Sequence, residues 1–144
     1  MAQVKSWELH PRDGGWQLPL EQQVVGRCSV DHAFALEFYD LNETAAVRIE
    51  GAFSVFDRGH SHQLTPAAPW ELGPAMGLVG HVVTSARVSG TGRLEIAFDD
   101  GRMLFVDPDA LYEAWEIVGP RGMHVVCAPG GAVSVWQPKN EQSP

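Results

Sequence analysis

The sequence predicts an all-β protein, an antiparallel sandwich or partly open barrel built from two similar meanders, with at most one short helix. Three observations carry that prediction. Apolar residues alternate with a period of two in several stretches, most cleanly where Phe34, Leu36 and Phe38 share one face and Ala35, Glu37 and Tyr39 the other. Fifteen glycines and ten prolines break the chain into short segments, with turns about every 8–12 residues, as in sandwiches and barrels. Finally, strings recur. Val25-Gly26 followed by Ala35–Asp40 and Ala46–Ile49 is matched by Val79-Gly80 followed by Arg93–Asp99 and Met103–Val106, and a Trp-Glu-Leu-x-Pro string precedes each copy at Trp7–Pro11 and Trp70–Pro74.

Taken in order, Asp13-Gly14-Gly15 is a turn, and Trp16 to Leu20 is a short apolar entry. Gln23 to Asp31 and His32 to Tyr39 read as strands separated by a tight connection, and Asp40 to Thr44 supplies a polar turn. Ala46 to Glu50 alternates with Val47 and Ile49 inward, and Gly51 bends the chain before Phe53 and Val55. Asp57 to Pro69 is the least regular stretch. Trp70 to Leu78 has room for one helical turn, because Gly73, Pro74 and Gly77 oppose anything longer. Val79 to Val88 is a strand, Ser89–Gly92 a turn, and Arg93 to Phe98 a strand with Leu94, Ile96 and Phe98 on one face. Asp99-Asp100-Gly101 is the strongest hairpin signal, since Asp-Gly readily takes positive φ, and Arg102 to Val106 returns. Leu111 to Val118, Met123 to Ala128 and Ala132 to Trp136 read as strands divided by Gly119–Gly122 and Pro129–Gly131. The expected total is nine or ten strands. The block from Tyr112 to Trp136 has no counterpart in either copy.

At 144 residues, with 44% hydrophobic and 19% charged residues, the chain has the composition of one globular domain spanning 1–144, with flexible ends at 1–14 and 138–144. Ten basic against eighteen acidic residues give a net charge of −8 with no basic stripe, which argues against nucleic acid and favours a basic partner, although net charge mainly reports solubility. No apolar run has the length of a membrane span, and the first residues lack the apolar run of a signal peptide, so the expected location is cytoplasmic, with Cys28 and Cys127 reduced. No cofactor is indicated.

His60-Ser61-His62 is the best metal candidate: on a strand, residues two apart project to one side, and Asp57 or His81 could join them. The bland alternative is a polar loop. Cys28 and Cys127 sit among valines and read as small hydrophobes; His124, three residues before Cys127, falls on the opposite strand face and cannot activate it. Ser29, Asp31 and His32 have the residue types of a hydrolytic triad, but neighbours on a strand point to opposite faces. Candidate partner-binding residues are Tyr112, Glu113 and Trp115, an aromatic and acidic cluster, together with Glu37 and Glu95, which the repeat places at equivalent positions on the face opposite the Phe-Leu stripe. A solvated sheet face explains the last two as simply. Trp115 and Trp136 have apolar neighbours and suit a core, whereas Trp7 and Trp16, in irregular segments, suit partial exposure.

Gly15–Leu20 with Val30–Phe34, then Gly92–Gly101, then Tyr112-Glu113-Ala114-Trp115-Glu116-Ile117 with Ala128-Pro129-Gly130-Gly131, give a resemblance over roughly residues 15–137. The chain resembles an uncharacterised family of small bacterial proteins marked by Tyr-Glu-Ala-Trp and a C-terminal Pro-Gly-Gly strand. That resemblance implies no activity, cofactor or catalytic residue; by analogy, some such acidic proteins look like immunity partners of secreted toxins. The function expected is therefore a non-enzymatic binding module for a protein partner or itself. The alternatives are a small-molecule binder or enzyme with a cavity between the two halves, and a metal protein built on His60 and His62. A sheet of this size leaves open edges, so a homodimer is also expected.

Overall fold

The computed structural model describes residues 5–139 and contains thirteen strands in two antiparallel sheets that face each other without closing into a barrel. The first half of the chain forms β1 (His10–Arg12), β2 (Gly15–Gln17), β3 (Val24–Val30), β4 (Phe34–Tyr39), β5 (Thr44–Ile49), β6 (Phe53–Asp57) and β7 (His60–Leu64). A connection holding one helical turn, α1 (Gly73–Met76), leads to β8 (Val83–Val88), β9 (Leu94–Phe98), β10 (Met103–Val106), β11 (Trp115–Val118), β12 (His124–Cys127) and β13 (Val133–Trp136). No helix among the described residues is long and apolar enough to cross a membrane.

The strand order shows what the repeated strings mean. One sheet runs β1-β2-β8-β9-β10-β6-β7 and the other β13-β12-β11-β5-β4-β3. Each half builds a meander, β3-β4-β5 or β8-β9-β10, and then sends a hairpin, β6-β7 or β11-β12, across to the opposite sheet. There the hairpin joins the other half's meander: β5 pairs with β11 and β10 pairs with β6. The two paths match even in their irregularities, because β3 and β8 each carry a bulge at the same point, just after the pairs Val25–Phe38 and Val83–Phe98. The block around Tyr112 to Trp136 therefore does have a counterpart: β11-β12 follows the course of β6-β7, and only β13 lacks a twin in the first half. The match was hidden because swapped hairpins share a path and few residues.

The register also corrects the alignment of the copies. Phe38 corresponds to Phe98, so Glu37 matches Ala97 and Glu95 matches Ala35. The two glutamates share a face type but not a position, since counting back from Phe38 and Phe98 places them two residues apart along β4 and β9.

The core lies between the sheets. Phe34, Leu36 and Phe38 of one meander and Leu94, Ile96 and Phe98 of the other are all buried, as alternation requires, with Val47, Ile49, Leu104 and Val106 beside them. Phe34 stacks on Phe53 from the crossing hairpin, ring centroids 5.4 Å apart. This continuous apolar cluster takes in residues from both halves and both sheets. Burying it supplies the main driving force of folding.

Several local expectations change. Strand β7 occupies part of the stretch that looked least regular, because Arg58 and Gly59 both take positive φ (51° and 86°) and make a two-residue hairpin turn. The strands expected to begin at Val79 and Leu111 begin at Val83 and Trp115. Trp7, expected to be partly exposed, is fully buried, its indole N–H donating to Glu43 Oε1 at 3.1 Å. Trp136, expected in the core, is 53% exposed on the outer side of an edge strand, where its ring stacks on His124. Apolar neighbours in sequence do not fix which way a strand residue points. Of the ends expected to be flexible, residues 5–14 and 138–139 are described, β1 and Trp7 among them; the remainder lie outside the described residues.

Candidate functional site

The two halves meet where their hairpins cross between sheets. One crossing is short, Glu50-Gly51-Ala52; the other is the longer segment 107–114. They run against each other: the Glu50 N–H donates to the Ala114 carbonyl at 3.1 Å, and Tyr112 lies over Gly51 so closely that a Cβ there would overlap the phenol oxygen. Glycine at position 51 is thus a condition for seating Tyr112. Asp109 organises the longer crossing, accepting from the Leu111 N–H at 2.8 Å through its carboxylate and from the Gly130 N–H at 2.8 Å through its carbonyl.

The result is a cleft of about 170 Å³ whose lining includes Ser54, Gln63, Asp107, Asp109 and Tyr112. Burial raises the pKa of the Tyr112 phenol, and the charge and hydrogen bond of Asp109, with Glu50 further off, push the same way. Asp107 lies 3.4 Å from Arg93 Nε, and the Arg93 guanidinium sits 4.3 Å from the centroid of the Phe105 ring. On the same loop Leu111 is 88% exposed and Tyr112 41%, with Glu113 exposed in sequence after them. An apolar and aromatic loop edged by carboxylates can recognise a surface that offers an apolar side chain flanked by cations.

The remaining candidate residues are dispersed. Trp115 is 1% exposed and points into the core, its indole N–H donating to the Gly92 carbonyl at 3.1 Å. Glu37 and Glu95 lie on the outer faces of opposite sheets, each beside a cross-strand arginine: Arg27 Nε is 3.2 Å from Glu37, and Arg87 Nε 2.7 Å from Glu95. They form no single acidic surface. His60 and His62 do project to the same side of β7, the side of Asp57 and Val55 on β6.

One cluster escaped sequence reasoning. His81 Nδ1 lies 2.9 Å from Asp99 Oδ1 and 3.6 Å from Asp100 Oδ2, and these three form the group of potential cation ligands among the described residues. Arg102 already occupies Asp100, its Nε 2.6 Å from one carboxylate oxygen and its backbone N–H 3.0 Å from the other. Burial opposes charge on Asp100, but the Arg102 hydrogen bonds and charge, with His81, outweigh it and hold the carboxyl below the usual range. The cluster therefore ties the β9–β10 turn to the segment before β8. The signal for it was the Asp-Asp-Gly turn itself.

The cysteines are free and differ in environment. Cys127 is fully buried, and burial pushes its thiol pKa up; Cys28, on an outer strand, is partly exposed. Thiol titration of the native protein is expected to label Cys28 within minutes and Cys127 only on unfolding, since reaction requires an accessible thiolate. Equal rates for both would contradict this packing.

No curated protein and no solved structure matches the chain. A family model, described as a family of unknown function (DUF6188), matches residues 16–137, from β2 to the end of β13. The chain therefore belongs to that family of unknown function, of which this two-sheet fold with exchanged hairpins is the structure seen here.

Proposed function

We propose that this protein is a non-enzymatic binding module that recognises a basic protein partner through the crossing loop from Asp107 to Glu113. The observation that carries the reading is Leu111, 88% exposed next to Tyr112 on a loop edged by Asp107, Asp109 and Glu113. A nearly bare leucine beside an aromatic anchor has the makeup of an interface centre, and the carboxylates around it suit a cationic rim. The net charge of −8 favours encounter with such a partner. A positively charged effector held inactive in the cytoplasm is the partner class that fits.

The test is affinity capture from the native cell, followed by a titration with the captured partner. Tyr112→Ala is expected to raise Kd by about 30-fold, the loss of a roughly 2 kcal/mol anchor. Glu113→Lys is expected to lower the association rate, most at low salt. A partner that binds the Tyr112→Ala and Leu111→Ala variants as tightly as the native protein removes this loop from consideration.

A further inference from the structure

The match between the two halves exposes an asymmetry at the sheet edges. Strand β12 is covered on its far side by β13, whereas β7, which follows the same path in the other half, ends its sheet with no strand beside it among the described residues. We propose that the open edge of β7 pairs with β7 of a second copy of this chain, antiparallel and centred on His62, forming a symmetric dimer with one sheet running through both copies.

The backbone sets the register. The two-residue turn at Arg58-Gly59 makes Asp57–His60 the closing hydrogen-bonded pair of the β6–β7 hairpin, so Val55–His62 and Phe53–Leu64 are also hydrogen-bonded pairs. The N–H and C=O groups of Ser61 and Gln63 consequently face the open edge. In an antiparallel pairing centred on His62, Ser61 of each copy meets Gln63 of the other, and both outward-facing residues on each side are satisfied within the five-residue strand. The two His62 side chains then stand directly opposite each other as a non-hydrogen-bonded pair, the closer type of cross-strand neighbour.

The other edges are less suited to self-pairing. Strand β1 has three residues, among them Pro11 and Arg12; β3 is bulged and carries Arg27. The end of β13 is tied down by Gln137, whose side chain exchanges hydrogen bonds of 2.9 Å with the Leu9 backbone, and Pro138 and Lys139 follow. Strand β7, His-Ser-His-Gln-Leu, contains no proline, bulge, lysine, arginine or carboxylate, the devices that keep edges apart. Two copies of a chain of net charge −8 can meet there without opposing carboxylates on the paired strands.

The proposal is tested by light scattering on the full chain at about 100 µM, well above a micromolar dissociation constant. The native protein is expected at twice 15.7 kDa. Ser61→Pro removes an N–H that faces the open edge and leaves the β6 ladder intact; it is expected to give a folded monomer with an unchanged far-UV spectrum. Val135→Pro, the corresponding change on the edge of β13, is expected to leave the dimer intact. The register is also tested directly, by a variant that keeps the backbone N–H groups: in a Cys28→Ser background, His62→Cys is expected to form an intermolecular disulfide under mild oxidation, and Ser61→Cys to form far less. A monomeric native protein, a dimer that survives in folded Ser61→Pro, or no His62→Cys crosslink in a dimeric sample would overturn the proposal.

Discussion

Replacing Trp115 with alanine is expected to lower the unfolding free energy by about 3–5 kcal/mol, the usual cost of deleting a large buried aromatic. The indole is 1% exposed, sits opposite Ile49 across the β5–β11 junction, and donates to the Gly92 carbonyl. Its loss empties a large volume where the second half's hairpin locks onto the first half's meander. It also leaves the buried Gly92 carbonyl to the weaker Cys127 thiol, 3.5 Å away. The surroundings cannot easily collapse into the space, because Gly92 (φ +93°) and Gly131 (φ +104°) approach too closely for a Cβ on either. For a chain of this size the change corresponds to a fall in Tm of roughly 10 °C or more. Trp115→Phe is expected to cost less, about 1–2 kcal/mol, since it keeps most of the apolar burial and loses chiefly a hydrogen bond. Phe53 holds the matching register position in the other hairpin, next to the pairing of Val55 with Leu104. Urea unfolding of both variants checks the ordering; an alanine cost below about 1 kcal/mol would mean that the junction is not packed as described.

The second large effect concerns the halves themselves. If the chain is divided between Ala67 and Ala68, in the exposed connection after β7, neither fragment is expected to give the native β spectrum alone, while an equimolar mixture is expected to recover it as a one-to-one complex. Every sheet needs both fragments. The first fragment holds β3-β4-β5 but lacks β11-β12, which completes that sheet, and its β1-β2 and β6-β7 hairpins flank a meander, β8-β9-β10, that it does not contain. Pieces of about 70 residues bury a small core and are marginal at best, and these would also expose apolar faces and unpaired inner edges. Self-pairing of the first fragment is disfavoured because Phe53 would have to fill the site shaped for Trp115. Circular dichroism and sedimentation of the separate and mixed fragments decide it; native structure in either fragment alone would refute the interdependence of the halves.

Much of this fold could be read from residue order, for identifiable reasons. The strands around Phe34–Phe38 and Leu94–Phe98 declared themselves because one face of each is buried and the other is not, so period-two patterning appears directly. The Asp99-Asp100-Gly101 turn was legible because Gly101 needs positive φ (88°), which few residues other than glycine tolerate. Strand β7 was not, since two histidines, a serine and a glutamine on an edge strand carry little hydrophobic pattern. Of the candidate site, the Tyr112-Glu113 string drew attention, but its setting depends on Gly51, which strand pairing brings to it, and on Asp109 earlier in the same loop.

The class of the fold follows from residue order alone: antiparallel strands, tight turns at glycines, and two related meanders are all consequences of local backbone preference and of side chains alternating across a pleat. How the copies combine is set by packing. Trp7 and Trp70 stand in the same Trp-Glu-Leu-x-Pro string, yet one is fully buried against Glu43 and the other is 79% exposed. A local string does not fix such an outcome, because the neighbours that bury a residue come from parts of the chain far apart in sequence, a property of the whole packed core.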